Sequence, residues 1–179
     1  QPQTLTLTLT LTLTLTLITT TTTTLTLLQA SAAQRPAATA LARLAHKNTM
    51  LQAELAEAGS IGPLLSLLNG RNLDAQVQAA AAIAEMSRDH PANQLAIAKA
   101  GGIGPLLSLL SASGRGAGAA QSMGLTALAQ MARHNGDNQD AIARMGGLKP
   151  LVRLIESGES GRDVQSAAAF AIMEITRAH

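Results

Sequence analysis

Apolar and polar positions from residue 37 onward follow one pattern that comes round three times. Its clearest stretch is Gly59-Ser60-Ile61-Gly62-Pro63-Leu64-Leu65-Ser66-Leu67-Leu68. It returns as Gly101-Gly102-Ile103-Gly104-Pro105-Leu106-Leu107-Ser108-Leu109-Leu110, and again as Gly146-Gly147-Leu148-Lys149-Pro150-Leu151-Val152-Arg153-Leu154-Ile155. The prolines at 63, 105 and 150 set a period of 42 and then 45 residues. A period of this length marks stacked supersecondary units, none of which can bury its apolar face alone.

Each period predicts three helices. The first is short, as over 93–100, and a glycine stops it because Gly accepts the left-handed C′ conformation without a Cβ clash. The proline opens the second helix, where its missing N–H costs nothing. Leu106, Leu107, Leu109 and Leu110 form that helix's buried stripe. The third helix is the longest, over 75–88, 119–133 and 164–178. Its core stripe has i, i+3 spacing at Ile83/Met86, Leu128/Met131 and Ile172/Ile175. Ala79, Gly124 and Ala168 hold equivalent places, and a mid-helix Gly124 suggests a close helix contact or local weakness. Residues 38–46 fit the third helix of a truncated unit, with Leu41 and Leu44 on its stripe. The expected fold is therefore all-α, a right-handed α-solenoid over 37–179. It divides into a partial unit at 37–47 and full ones at about 48–91, 92–136 and 137–179.

Residues 1–30 read differently. Leu and Thr alternate from Thr4 to Leu17, and a Thr run follows. Period two suits a strand, yet the alternation contains no turn signal and no partner strand follows. A low-complexity, disordered tail is expected, ahead of a membrane-inserted stretch or a self-associating edge strand.

At 179 residues and 46% hydrophobic the chain can bury a core. That core holds one aromatic, Phe170, so Ala, Leu, Ile, Val and Met must close-pack. Thirteen basic against eleven acidic residues give a net charge of +2. No basic run or stacking aromatics point to nucleic acid. Absence of Cys excludes a disulfide framework, a thiolate zinc site and a Cys nucleophile.

The series Asn-Gln-x-x-Ile-Ala-x-x-Gly-Gly, Pro-Leu-(Leu/Val)-x-Leu and Val-Gln-x-Ala-Ala resembles the armadillo repeat of β-catenin, importin-α and the vacuolar and U-box armadillo proteins. Asn93, Gln94, Asn138, Gln139, the paired glycines, the three prolines and Gln165 carry the match over 37–179. The resemblance implies a non-enzymatic module that binds an extended segment of a partner protein along a groove of third helices. In importin-α-like members an Asn on each third helix holds the peptide backbone, with a Trp one turn earlier. The Asn row here reads Arg43, Glu85, Gln130 and Glu174, and the Trp row Thr39, Ala81, Thr126 and Phe170. This departure counts against a nuclear-import adapter. The substrate-recognition part of a ubiquitin ligase, or a structural fragment that stacks on another chain, are the alternatives.

One turn beyond lie His46, Arg88, Arg133 and Arg177. They could form an Arg ladder for an acidic or phosphorylated segment. They could equally form intrahelical pairs, Glu85–Arg88 and Glu174–Arg177. The groove set is then Arg43, Ala81, Glu85, Arg88, Thr126, Gln130, Arg133, Phe170, Glu174 and Arg177. His46, His90, His134 and His179 recur at gaps of 44, 44 and 45, but layers about 8–10 Å apart would not let them share one ion. Gly114-Arg115-Gly116-Ala117-Gly118 lacks the Gly-Lys-Ser/Thr of a phosphate loop and fits a loop insertion. Asp74, Glu156, Glu159 and Asp163 fall at turns, without paired catalytic spacing. No cofactor, metal, nucleic acid or membrane partner is expected, and the compartment is expected to be cytoplasmic or nuclear. Leu41 and Leu44 at one end, and Phe170 or Ile175 at the other, are expected to lie partly uncovered and to permit self-association.

Overall fold

The computed structural model describes Thr19, Thr23 and residues 34–157 and 160–177. The rest of the Thr/Leu stretch, Glu159 and His179 lie outside the described residues. Thr19 and Thr23 are both helical, and the Thr23 hydroxyl donates to Thr19 O at 2.6 Å.

Ten helices follow among the described residues: α1 (Gln34–Ala45), α2 (Thr49–Glu57), α3 (Ile61–Leu68), α4 (Leu73–Ser87), α5 (Pro91–Lys99), α6 (Ile103–Leu109), α7 (Ala117–Ala132), α8 (Gly136–Arg144), α9 (Leu148–Glu156) and α10 (Arg162–Thr176). The long helices α1, α4, α7 and α10 pack side by side in that order, while α3, α6 and α9 pack on α4, α7 and α10. The short α2, α5 and α8 bridge successive long helices. The result is an all-α solenoid. None of these helices is long and apolar enough to cross a membrane.

The paired glycines act twice. At Gly101, φ is +85°, Gly101 N donates to Ala98 O and Gly102 N to Ile97 O, both at 2.9 Å. This is the pair of hydrogen bonds that closes a helix with a left-handed C′ residue, and Gly146 and Gly147 repeat it on Ala143 O and Ile142 O. The second glycine has a different role. A Cβ on Gly102 would lie 2.6 Å from Ile97 Cγ2 and 3.2 Å from Leu65 Cδ2 of the preceding layer. On Gly147 it would lie 2.7 Å from Ile142 Cγ2 and 3.1 Å from Leu107 Cδ2. Each second glycine is thus a socket for a leucine of the layer before it.

Two local expectations shift. The second helices begin two residues before the proline, so Pro63, Pro105 and Pro150 stand third in the helix. They still fall among the first four N–H groups, which have no intrahelical acceptor. Gly124 marks a contact rather than a weak point: a Cβ there would lie 3.1 Å from Leu109 Cβ and 3.2 Å from Leu106 O. The core is aliphatic, with Leu41, Ile83, Met86, Leu125, Leu128 and Met131 fully buried along the row of long helices. Leu41 and Ile175 are covered after all, whereas Leu44 is half-buried and Phe170 is 38% exposed.

Candidate functional site: the face of the long helices

The last carbonyls of a helix lack intrahelical donors, and here side-chain amides from other helices supply them. Asn93 Nδ2 donates to Met86 O at the end of α4 and to Gln52 O on α2, both at 2.9 Å. Asn138 Nδ2 does the same for Met131 O at 2.9 Å and Gln94 O at 3.2 Å. Gln94 Nε2 reaches Ser87 O at 3.1 Å, Gln130 O at 2.9 Å and Arg133 O at 3.2 Å. Gln139 Nε2 reaches Ala132 O and Glu174 O, each at 3.0 Å. Gln52 Nε2 holds Ala45 O at 3.1 Å. All five side chains are buried. The short helices therefore staple the C-terminal ends of neighbouring long helices together.

The link from a long helix to the next short one is also repeated. Lys47, Asp89 and His134 adopt φ of +53°, +50° and +54°. The next residue caps the following helix: Asn48 Oδ1 accepts from Leu51 N and Asn135 Oδ1 from Asn138 N, both at 3.1 Å, and His90 Nδ1 accepts from Asn93 N at 3.3 Å. This register separates the histidines. His46 occupies the place of Arg88, His90 is a cap, and His134 is the left-handed residue, so their even spacing in sequence does not make a structural row.

The predicted groove residues lie along the long helices, with Gln130 and Glu174 buried and the other eight partly or fully exposed. Glu85 is the best-anchored charge. Arg88 donates to it twice, Nη2 to Oε1 at 3.0 Å and Nε to Oε2 at 3.3 Å, and His46 Nδ1 lies 3.1 Å from Oε2. Burial pushes the Glu85 carboxyl up, but the hydrogen bonds and charges of Arg88 and His46 outweigh it and hold the group below its ordinary 4.5. Arg177 Nη1 lies 3.6 Å from Glu174 Oε2, and Arg133 Nε lies 3.5 Å from Asp89 Oδ1 of the preceding layer. Arg88, Arg133 and Arg177 are thus each matched to a carboxylate. Arg43 is exposed, with no carboxylate at ion-pair distance among the described residues. Gln130 is 4% exposed and its Oε1 has no hydrogen-bond partner.

Between α1, α4 and α7 this face dips into a pocket of about 290 Å³. Ala42, Ala81 and Ala84 leave the space, Thr39, Met123 and Thr126 bound it, and Arg43, His46 and Glu85 also line it. One layer further on, the register of Thr126 is taken by the partly exposed ring of Phe170.

Comparison with solved structures identifies the architecture. An engineered protein from the Northeast Structural Genomics Consortium superimposes with a TM-score of 0.81 at 29% identity, over 87% of this chain and 62% of its own. A computationally designed armadillo repeat protein for modular peptide recognition gives 0.75 at 24% identity, over 85% and 63%. The chain has an armadillo repeat fold. The armadillo-repeats-only protein of Plasmodium falciparum, with a TM-score of 0.67 at 22% identity over 79% and 60%, shares it. This chain spans about three fifths of the length of these solved proteins. No protein-family model and no curated protein matches it. In armadillo terms α1, α4, α7 and α10 are third helices, and the groove set lies on them or one residue past their ends. The amide staples, the cap residues and the pocket alanines Ala42 and Ala84 were not read from the sequence as functional parts, whereas Ala81 stood in the predicted groove set.

Proposed function

We propose that this armadillo chain is a protein-interaction scaffold that holds an extended segment of a partner along the third-helix face. The observation that carries the reading is the packing of four third helices in one row, with Thr39/Ala81/Thr126/Phe170 and Arg43/Glu85/Gln130/Glu174 in matching registers. A preformed face lets most of the ordering cost fall on the partner. The solved neighbour designed for modular peptide recognition supports the same use of the fold. Gln130 is the one amide in its row; it is buried with Oε1 unpartnered, so it must turn outward to pair with a peptide carbonyl and N–H.

The segment is best suited to be acidic where it passes Arg43. Elsewhere Arg88, Arg133 and Arg177 are matched by Glu85, Asp89 and Glu174, and such pairs must open to serve a ligand. Amide chemical-shift mapping with an acidic peptide tests the reading. Shifts clustered on Ala81, Glu85, Thr126, Gln130 and Arg133, lost in Arg88→Glu/Arg133→Glu, are expected. Shifts confined to α3, α6 and α9 would refute it.

A second reading is favoured by the exposed apolar residues of α9 and α10. Val152, Ile155 and Met173 are 43, 37 and 49% exposed, while Leu65, Leu68 and Ala84 at the same registers are buried. Stacking of another chain on this face would appear as concentration-dependent mass in light scattering, abolished by Val152→Asp.

A further inference from the structure

We propose that the pocket between α1, α4 and α7 is an anchor site for one large apolar side chain of the bound segment, flanked by an acidic residue of that segment that pairs with Arg43. The proposal rests on the scaffold reading and adds which partner chemistry the groove selects.

Three observations lead to it. The first is size. About 290 Å³ lies at the lower edge of the roughly 300–1,000 Å³ of small-molecule sites, so the space suits a single Leu, Phe or Trp side chain rather than a cofactor. The second is lining. Ala42, Ala81 and Ala84 form an apolar floor, and the Thr39 hydroxyl is committed, lying 2.9 Å from Arg35 O and 2.8 Å from Gln78 Oε1.

The third observation is charge at the rim. Glu85 is already held by Arg88 and His46, so it is not a free acceptor for a basic ligand. Arg43 is exposed and keeps its forked donors for a carboxylate. His46, 54% exposed, adds to the positive side of the rim when protonated.

The test uses the full chain and a short Gly/Ser peptide carrying one Trp followed by Glu-Glu, with affinity read by chemical-shift titration. Replacing the Trp with Gly is expected to weaken binding roughly ten- to a hundred-fold, the weight of burying one large apolar side chain. Ala81→Phe, which fills the floor, should do the same to the Trp peptide and weaken the Gly peptide far less. Arg43→Glu should weaken both Glu-containing peptides and favour a Trp-Lys-Lys version. Thr126→Phe fills the pocket from α7 if Ala81→Phe fails to fold. Equal affinity of the Trp and Gly peptides, or indifference to both pocket-filling variants, overturns the anchor while leaving the scaffold reading intact. Equal or tighter binding of the Trp-Lys-Lys peptide to the parent overturns the acidic flank. Failure of every peptide to shift any third-helix amide overturns both readings.

Discussion

Replacing Gln94 with leucine should loosen the stack at a place chosen by hydrogen bonds rather than by bulk. Leucine keeps most of the volume and the apolar contacts of Gln94 but deletes a donor NH₂ placed within 3.2 Å of three carbonyls. Its two protons serve those acceptors in turn, while Oε1 accepts from Asn135 Nδ2 at 3.0 Å. Ser87 O keeps the His90 N–H as a donor, but no backbone N–H serves Gln130 O near the end of α7. The cost is about 1 kcal/mol for each of three lost bonds, two donated and one accepted, plus roughly 1–3 kcal/mol for a stranded buried carbonyl. Better burial of the leucine methyls offsets part of that, leaving about 2–4 kcal/mol. In a chain of this size that corresponds to a fall in melting temperature of roughly 5–15 °C.

Thermal melting by circular dichroism measures the sum, and amide hydrogen exchange locates it. Exchange should quicken at the C-terminal turn of α7 and in α5, and stay near the parent rate in α9 and α10, since neighbouring layers carry the coupling in a solenoid. Gln94→Glu retains the shape and turns oxygens toward the carbonyls, so it should fall at least as far. Leu95→Gln, on the exposed side of the same helix, is the control. A Gln94→Leu variant melting within about one degree of the parent would show that the amide staple contributes nothing.

Other substitutions probe other contacts. Gly147→Ala drives a Cβ to 2.7 Å from Ile142 Cγ2 and 2.9 Å from Ile142 O and should cost about 1–3 kcal/mol by overpacking. Gly104→Ala, whose Cβ meets only Met145 Cε at 3.5 Å, should be neutral or stabilise by up to about 1 kcal/mol, and urea midpoints separate the two. Because Glu85 lies below its ordinary 4.5 in the folded chain, its contribution is complete above the unfolded value and disappears as pH falls through the folded one. Glu85→Gln should therefore flatten stability against pH over about pH 5 to 3, and an unchanged slope would remove Glu85 from the acid response. Asp89→Asn breaks a pair whose side chains are 57 and 35% exposed, and should change stability by less than about 1 kcal/mol.

Period, helix order and third-helix stripes were legible because burial sets them locally. Ile83/Met86 and Leu128/Met131 sit in the core where their spacing put them. The start of α5 was less legible, since His90 is an uncommon cap. The even histidine spacing makes no structural row because their gaps of 44, 44 and 45 differ from the distances between equivalent positions, such as 42 from Lys47 to Asp89 and 45 from Asp89 to His134. Asn93, Gln94, Asn138 and Gln139 were visible as a motif, yet their task was not, because their acceptors include backbone carbonyls 35 to 44 residues away. Every residue has such a carbonyl, so the sequence carries no mark of the chosen one. The pocket was invisible for a related reason: an alanine leaves a space only when the neighbours around it are known.

These staples bear on function through direction. The seam between third helices is built of Ala, Leu, Ile and Met, and apolar attraction is non-directional, so it resists separation of layers more than their sliding. An amide bonded to carbonyls on two long helices resists sliding as well. Gln94 ties Ser87 O on α4 to Gln130 O on α7, and Gln130 stands in the same register as Arg43 and Glu85. Loss of the staple should then weaken peptide binding beyond what the unfolded fraction explains. At a temperature where Gln94→Leu is fully folded, a fall in affinity for the Trp-Glu-Glu peptide of several-fold is expected, with chemical shifts of Gln130 and Thr126 displaced in the free protein. Unchanged affinity together with a lowered melting point would confine the amides to holding the stack, and the groove would owe its shape to apolar packing alone.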